Sequence, residues 1–272
     1  MTATVKLGIT LPSFRDDPEP ALAVARAADA AGLDGVFAFD HLFRLTSDGR
    51  RRPALEMLTL LGAVAVETDR VTIGPLVARA TLRPAATLAN GLDTLARIVG
   101  PDRLLVTVGA GDEESREENE SFGLGFGTTD DRVEALRAGV MGCRDRGYPV
   151  WAAGVDPRVR EVAAADADGW NRWGGSAEQF RAEAALVRAT ATRRPFAVSW
   201  AGLALIGATE ADAVAKAGRL GASAPVTGGP ERVADAVRSY GQAGAEWVVL
   251  GPIDSSDPDN AATLGERVRP LL

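Results

Sequence analysis

Residues 5–40 read VKLGITLPSFRDDPEPALAVARAADAAGLDGVFAFD and contain a predicted strand, a helix and a second strand. The apolar run at 5–11 predicts the first strand. The alanine-rich stretch from Pro18 to Gly32 predicts a helix, because proline stands near its start and glycine at its end. The apolar run at 35–40 predicts the second strand. This order of elements is typical of a parallel sheet covered by helices.

The same alternation continues along the rest of the 272 residues. Further strands are predicted at 71–73, 103–108, 149–153, 169–171, 196–206 and 247–250, and helices at 54–68, 84–99, 130–146, 157–165, 176–190, 209–220, 229–244 and 260–271. Strand-then-helix units of this number and total length fit a closed barrel better than an open doubly wound sheet. No G-x-G-x-x-G sequence follows the first strand, which argues against a Rossmann fold. We therefore predict an α/β fold, a (βα)8 TIM barrel that residues 1–272 form as a single domain.

The charge and hydropathy of the chain exclude several classes of protein. The net charge is −7 and the one dense basic run is Arg50–Arg52, so no nucleic-acid partner is predicted. No apolar stretch reaches the roughly 20 residues that span a bilayer, and Met1–Thr4 lacks the start of a signal peptide. We expect a cytoplasmic protein without a membrane partner.

Cysteine, histidine and lysine are rare in this chain. Cys143 is the only cysteine and His41 the only histidine, so the sequence predicts neither an intrachain disulfide nor a metal site of several thiolate or imidazole ligands. Lys6 and Lys216 are the only lysines, which disfavours an enzyme that forms a Schiff base. We therefore assign no metal site.

The active site of a TIM barrel lies on the loops that follow the C-terminal ends of the strands. The pair Asp40-His41 follows the second predicted strand, and Asp40 is an acid that can orient the imidazole, so both are catalytic candidates, with His41 as proton donor or acceptor. After the fourth strand, Gly109 and Gly111 let the backbone approach a flat ligand, and Asp112 is the best candidate for an inward carboxylate. The acidic segment 113–120 is interpreted as solvated.

Two other loops are candidates for ligand binding. Gly74-Pro75 follows the third predicted strand, and its peptide bond can be cis at modest cost. Gly174-Gly175-Ser176 immediately precedes a predicted helix, whose free amides and dipole suit a phosphate group. The stretch 227–230 is a similar helix start and a rival phosphate site, although no clear strand precedes it.

Several segments occur in a specific order and spacing: 32–36 leads to Asp40-His41, and 69–74 leads to 82–85, followed by 102–111, 167–171, 229–234 and 244–250. Together they resemble the bacterial luciferase-like superfamily of flavin- and deazaflavin-dependent oxidoreductases and monooxygenases. The resemblance covers nearly the whole chain.

The resemblance implies a cofactor across the C-terminal mouth of the barrel and redox chemistry on a small organic molecule. In relatives a non-prolyl cis bond after strand three backs the ring system, and Gly74-Pro75 matches it by position. The resemblance also implies a catalytic His41, cofactor contacts from Gly109 and Gly111, and phosphate contacts from Gly174-Gly175-Ser176. The cofactor is coenzyme F420, a deazaflavin, or FMN. The arginine-rich, lysine-poor composition points to a GC-rich genome and favours F420.

By this comparison the chain is a shortened member of the superfamily. Only Gly147-Tyr148 separates a predicted helix from strand five, where relatives carry a long insertion that commonly covers the substrate. The resemblance also implies a homodimer, and a flavin reductase as partner if the cofactor is FMN.

Two other functions stay open at this point. The first is a non-catalytic flavin-binding protein of the same fold, which the short insertion suggests. The second is a barrel isomerase or lyase of a phosphorylated metabolite, with Asp112 or Asp40 as base and Gly174-Gly175-Ser176 as the phosphate site. Fold alone does not separate these functions, and the sequence does not identify the substrate.

Overall fold

A computed structural model describes residues 5–46 and 48–272. The strands are β1 (Lys6–Thr10), β2 (Gly35–Ala38), β3 (Phe43–Leu45), β4 (Arg51–Pro53), β5 (Thr72–Arg79), β6 (Val106–Gly109), β7 (Val150–Ala153), β8 (Gly169–Trp173), β9 (Ala197–Ile206), β10 (Val226–Gly228) and β11 (Trp247–Pro252). The helices are α1 (Glu19–Ala30), α2 (Met57–Glu67), α3 (Ala85–Val99), α4 (Arg116–Ser121), α5 (Thr129–Cys143), α6 (Pro157–Asp166), α7 (Ala177–Thr190), α8 (Glu210–Leu220), α9 (Pro230–Gln242) and α10 (Asp259–Thr263). The segment 1–4, which contributed to the expectation of a cytoplasmic protein, lies outside the described residues.

Eight parallel strands close into a ring in the order β1, β2, β5, β6, β7, β8, β9, β11 and back to β1. The closing pair aligns Lys6 with Trp247, and β9 pairs with both β8 and β11. Helices connect successive strands and cover the outside. The prediction of a (βα)8 TIM barrel is confirmed.

Alternating side chains along each strand point into the barrel or out to the helices. The interior is filled by an apolar cluster that includes Phe37, Leu76, Trp151 and Trp247, all less than 6% exposed. The rings of Phe37 and Trp247 meet edge to face with centroids 5.6 Å apart. The barrel is therefore a packed core below its C-terminal mouth, and its interior leaves room for a ligand at the mouth.

Side-chain caps fix the start of two helices that follow site loops. Thr128 accepts a hydrogen bond from the Asp131 amide at the start of α5, and the Asp131 carboxylate accepts one from the Thr128 amide. Ser176 and Gln179 make the same reciprocal pair at the start of α7. Such pairs satisfy amides that a helix end would otherwise leave without partners.

Three elements differ from the sequence prediction. A short antiparallel hairpin, β3–β4, occupies the segment after β2, for which the sequence analysis named no element. Strand β5 continues to Arg79 instead of ending at residue 73, although Gly74-Pro75 lies within it. Strand β10 pairs with the C-terminal end of β9, so the stretch 227–230 does follow a strand.

The continuation of β5 explains Gly74. A Cβ at this position would overlap the carbonyl oxygen of Leu105, which precedes β6. Glycine is therefore required here by the close approach of the neighbouring backbone, and not by a turn. Within residues 5–46 and 48–272, no helix combines the length and apolar character that crossing a bilayer requires.

Candidate active site

A cavity of about 1360 Å³ lies at the carboxyl ends of the barrel strands. Its wall receives residues from all eight ring strands or the loops that follow them, from the β3–β4 hairpin and from α4. Ligand pockets for small molecules usually measure about 300–1,000 Å³. The cavity is therefore large enough for a cofactor together with a second small molecule.

His41 follows β2 and lines this cavity with a side chain that is one-third exposed. Its Nδ1 atom lies 3.0 Å from Oε2 of Glu118, which belongs to α4. The other carboxylate oxygen of Glu118 accepts hydrogen bonds from the amides of Leu42 and Phe43. Glu118 thus fixes both the imidazole and the backbone beside it, and the bond at Nδ1 leaves Nε2 as the ring nitrogen available to a ligand.

Arg79 lies behind this pair and is almost fully buried. Its Nη1 atom is 3.0 Å from Oε2 of Glu118. Burial alone would raise the pKa of Glu118, but the hydrogen bonds from His41 and the Leu42 amide, with the charge of Arg79, lower it below its usual value. Burial lowers the pKa of Arg79, and the charges of Glu118 and Asp40 partly offset that effect. The carboxylate is therefore kept ionised beside His41.

Asp40 has a different place from the one predicted. Its carboxylate is 1% exposed and pairs with Arg83, at 2.7 Å to Nη1 and 3.0 Å to Nη2. The Arg79 amide donates to the same carboxylate at 2.9 Å. Among the described contacts none joins Asp40 to His41, so the prediction that Asp40 orients the imidazole is corrected: Glu118 does so. Asp40 instead pairs with the guanidinium of Arg83 and accepts the backbone amide of the buried Arg79.

Asp112 lines the cavity after β6, as predicted for an inward carboxylate. Its Oδ1 accepts hydrogen bonds from the Ser115 amide at 3.1 Å and from the Ser115 hydroxyl at 2.9 Å, and so caps a short 3₁₀ turn. A role as a base stays a prediction. Gly109 and Gly111 line the same wall. A Cβ on Gly109 would lie 2.5 Å from a methyl carbon of Val77, and Gly111 has a φ of +73°.

The cis peptide bond does not lie at Gly74-Pro75. The structure places it two residues later, between Leu76 and Val77, and a second cis bond lies at Arg194-Pro195. Leu76 and Val77 line the cavity, whereas neither Gly74 nor Pro75 does. The match by position was therefore wrong by two residues, because the strand extends through Gly74-Pro75 before it reaches the mouth.

The predicted phosphate loop has most of its amides occupied. The Gly174 amide donates to the Ala201 carbonyl at 2.7 Å, and the Ser176 amide donates to the Gln179 side chain at 3.0 Å. None of Gly174, Gly175 and Ser176 lines the cavity. At the rival stretch 227–230, the amide of residue 229 donates to a carboxylate of α8. Neither loop presents free amides to the cavity in this conformation.

Arg132 is a site residue that the sequence did not single out. It belongs to α5, is 6% exposed and lines the cavity, and its Nε has no hydrogen-bond partner. The guanidinium lies 4.2 Å from the ring centroid of Phe126. No carboxylate within residues 5–46 and 48–272 pairs with it at 4.0 Å or less. A buried cation without a counter-charge indicates a place for an anionic ligand group.

The loop after β7 faces the same part of the cavity. Gly154 lines it with a φ of +147°, and so do Asp156 and Arg158 at the start of α6. A hydrogen bond from Arg158 lowers the pKa of Asp156 to about 2. Arg158 also pairs with Asp130 at 2.7 Å, so its charge is already neutralised. Arg132 is thus the cation of this wall that is left for a ligand.

The hairpin and α4 form a cover over one side of the mouth. Arg51 of the hairpin pairs with Glu117 at 3.2 Å and donates to the Ser121 hydroxyl at 2.9 Å. The rings of Phe43 and Phe122 stack with centroids 6.4 Å apart. The connection from α5 to β7 is short, as predicted, but this cover encloses the site from another side. Part of the segment interpreted as solvated is therefore structural, and Glu118 within it is buried.

Three comparisons with known proteins bear on this site. A family model described as luciferase-like monooxygenase matches residues 2–245. An F420-dependent glucose-6-phosphate dehydrogenase of Beutenbergia cavernae is 36% identical over 115 residues, which are 42% of this chain and 33% of that protein. The matched region thus spans about a third of the length of that curated relative.

Solved structures with the same fold have much lower sequence identity. An F420-dependent secondary alcohol dehydrogenase, solved with an F420-acetone adduct, superposes with a TM-score of 0.81 at 15% identity, over 99% of each chain. An EDTA monooxygenase from Chelativorans sp. BNC1 superposes with a TM-score of 0.79 at 15% identity, over 98% of this chain and 93% of that one. These likenesses show the fold.

Proposed function

The chain belongs to the luciferase-like monooxygenase family, and on that premise we propose that it is an oxidoreductase that uses the deazaflavin coenzyme F420 on a small organic molecule. The observation that carries the proposal is the pair of His41 and Glu118 in the wall of a cavity of about 1360 Å³. A proton-transfer group is thus held beside a space that accommodates a fused ring system and a substrate together.

The residues of the cavity fit such a cofactor. Gly109 and Gly111 give one wall a surface without side chains, and Val77 packs against Gly109. F420 and FMN both carry a phosphate on a polyol chain. Arg132, with its Nε atom unpartnered, and Thr129 beside it offer that phosphate a charge and a hydroxyl in the same cavity. We therefore assign the phosphate to Arg132 instead of Gly174-Gly175-Ser176.

The protein residues carry out proton transfer and positioning. When bound, the cofactor would supply the redox chemistry. His41 donates or accepts the substrate proton through Nε2, because Glu118 holds Nδ1. The carboxylate of Glu118 stabilises the protonated imidazole, and Arg79 keeps that carboxylate ionised. The β3–β4 hairpin and α4 shield this part of the site from water.

Curated relatives named as F420-dependent dehydrogenases support F420 over FMN. FMN is the alternative cofactor, with a flavin reductase as partner, and a homodimer is part of either form of the proposal. The isomerase or lyase hypothesis is not favoured, because its phosphate loop does not face the cavity. The non-catalytic hypothesis is not favoured either. The cover made by the hairpin and α4 encloses one side of the site and so partly replaces the long insertion of relatives.

Equilibrium titration of the apoprotein with F420 and with FMN tests the proposal. We expect saturable binding of F420 that is tighter than that of FMN. Replacement of His41 by Gln should leave this binding intact and lower the turnover of any accepted substrate about 100-fold or more. Absence of binding of either cofactor would overturn the proposal, and tighter binding of FMN would transfer it to the alternative cofactor.

A further inference from the structure

Two arginines face each other on the hairpin at the edge of the cavity. In the antiparallel register of β3 and β4, Arg44 lies directly opposite Arg52. Residues that are opposite each other in such a pair project from the same face, with Cβ atoms about 4.5–5.5 Å apart. The two guanidinium-bearing side chains therefore leave the hairpin side by side.

Neither of these arginines pairs with a carboxylate in the described part of the chain. The neighbouring Arg50, in the turn of the same hairpin, does have such a partner, because its Nε lies 2.7 Å from Asp48. Like charges directly opposite each other destabilise a hairpin. Arg44 and Arg52 thus repel each other without an ion pair to offset the repulsion, and an oxyanion bound between them would relieve it. A local feature that costs stability in this way is typical of a functional site.

Arg44 is also close to the group that we assign to proton transfer. Its guanidinium lies 5.6 Å from the ring centroid of Phe14, and the imidazole centroid of His41 lies 5.3 Å from the same point. All three side chains line the cavity. The cation and the imidazole are therefore neighbours of one aromatic ring, so a small molecule can contact both at once.

The arginine pair of the hairpin is distinct from the cation that we assign to the cofactor phosphate. The guanidinium of Arg132 lies 4.2 Å from the ring centroid of Phe126, and that of Arg116 lies 4.6 Å from the same centroid. This group belongs to α4, α5 and the segment between them, whereas Arg44 belongs to β3. The cavity therefore offers cations to two anionic groups from two different elements.

Acidic side chains also line the cavity, and several of them belong to the loop after β6. Asp112 and Glu114 line it without a described ion pair. Glu113 of the same loop pairs with Arg116 of α4. No described ion pair joins this loop to the hairpin, so these carboxylates do not neutralise Arg44.

We propose that Arg44 and Arg52 bind an oxyanion group of the substrate, a carboxylate or a phosphate, while the reacting group of the substrate lies at His41. The inference rests on the proposed function, because it gives the hairpin side of the mouth to the substrate and Arg132 to the cofactor phosphate. Guanidinium groups bind such oxyanions through paired, charge-assisted hydrogen bonds. The substrate class is therefore a small organic acid or phosphate ester.

Calorimetric titration with phenyl phosphate, benzoate and uncharged benzyl alcohol tests this assignment. The titrations use the Arg132→Met variant, so that the other cation of the cavity does not contribute. We expect at least one of the two oxyanions to bind about tenfold or more tightly than the alcohol. Replacement of both Arg44 and Arg52 by Gln should abolish this preference. The matched control is Arg50→Gln on the same hairpin, which should keep it.

The variants should fold, because the side chains of Arg44, Arg50 and Arg52 are all exposed. Equal affinities for the oxyanions and the alcohol would overturn the proposed site. Oxyanion binding that persists without Arg44 and Arg52 would overturn it as well.

A titration with F420 separates the substrate from the cofactor as the source of the oxyanion. In the protein that retains Arg132, replacement of Arg44 and Arg52 by Gln should leave the affinity for F420 unchanged. A tenfold loss of that affinity would give the site to the cofactor and overturn its assignment to the substrate. The titrations with phenyl phosphate and benzoate need no cofactor, so their failure and a failed F420 titration are separate results.

Discussion

The imidazole Nδ1 of His41 lies 3.0 Å from the carboxylate of Glu118, and 76 residues lie between the two in the chain. The contact joins the loop after β2 to α4, so the cover of the site and the orientation of its one histidine depend on the same carboxylate. Removal of this carboxylate should therefore lower the rate of catalysis, although Glu118 itself is assigned no contact with the substrate.

Glu118→Gln should lower kcat by about tenfold or more, because a neutral amide stabilises a protonated imidazole less than a carboxylate does. The matched control is Glu114→Gln, at an exposed carboxylate of the same segment. An unchanged kcat in a folded Glu118→Gln variant would contradict the role of Glu118.

Acid stability should depend on Glu118. Its pKa in the folded protein is below the ordinary 4.5 of an unfolded chain. Between these two pKa values the unfolded state binds more protons, so the stabilisation is complete above the ordinary value and is lost as the pH falls through the folded value. The free energy of unfolding of Glu118→Gln, measured in urea, should therefore fall less steeply than that of the wild type as the pH is lowered below about 5. Parallel curves would count against this.

Asp40→Asn should destabilise the fold by about 3 kcal/mol, because it removes the buried negative charge that pairs with Arg83 and that accepts the backbone amide of Arg79. Asp112→Asn, which weakens a helical cap at an exposed position, should cost about 1 kcal/mol or less. Urea unfolding at neutral pH measures both values. A larger loss for Asp112 than for Asp40 would show that the structural role is assigned to the wrong carboxylate.

Cys143 should not react with thiol reagents in the native protein. The side chain is fully buried in α5, and burial raises its pKa to about 11, so little thiolate forms near neutral pH. An aromatic disulfide reagent at pH 8 should therefore titrate no thiol before denaturant is added and one thiol afterwards. Rapid native labelling would mean that α5 opens readily, and the wall that carries Arg132 with it.

Arg132→Met should weaken F420 binding by at least about tenfold, because a phosphate loses its charged partner while the apolar stem of the side chain is kept. Arg181→Met, at an exposed position on α7, is the matched control. Calorimetry gives both affinities. Equal affinities for wild type and Arg132→Met would place the phosphate elsewhere.

The architecture was predictable because each ring strand is an apolar run followed by a helix with recognisable ends. The predictions failed where residues of turn type lie inside a strand: Gly74-Pro75 suggested a strand end, yet the approach of Leu105 requires glycine in the middle of β5. The hairpin was missed because β3 and β4 are short and mostly exposed, so they lack an apolar pattern.

The site was predictable only in part. His41, Gly109, Gly111 and Asp112 line the cavity because residues after barrel strands meet at one end of the fold. Glu118 is one acid among many in its segment, and its burial depends on a distant loop.

Arg132 follows Asp130 and Asp131 in the first turn of α5, and this run of charged residues is typical of a solvated helix start. The sequences around Glu118 and Arg132 contain no signal that separates either residue from its charged neighbours. Asp40 was placed correctly at the strand end, but its partners come from β5 and the segment after it, and only the fold reveals them.

A crystal structure of the protein grown with F420 would show where the cofactor ring and its phosphate bind. We expect the deazaflavin ring in the main cavity against Gly109 and Val77, the phosphate within hydrogen-bonding distance of Arg132, and His41 still bonded to Glu118. A ring bound outside the cavity, or a phosphate held at Gly174-Gly175-Ser176 with Arg132 unengaged, would contradict it.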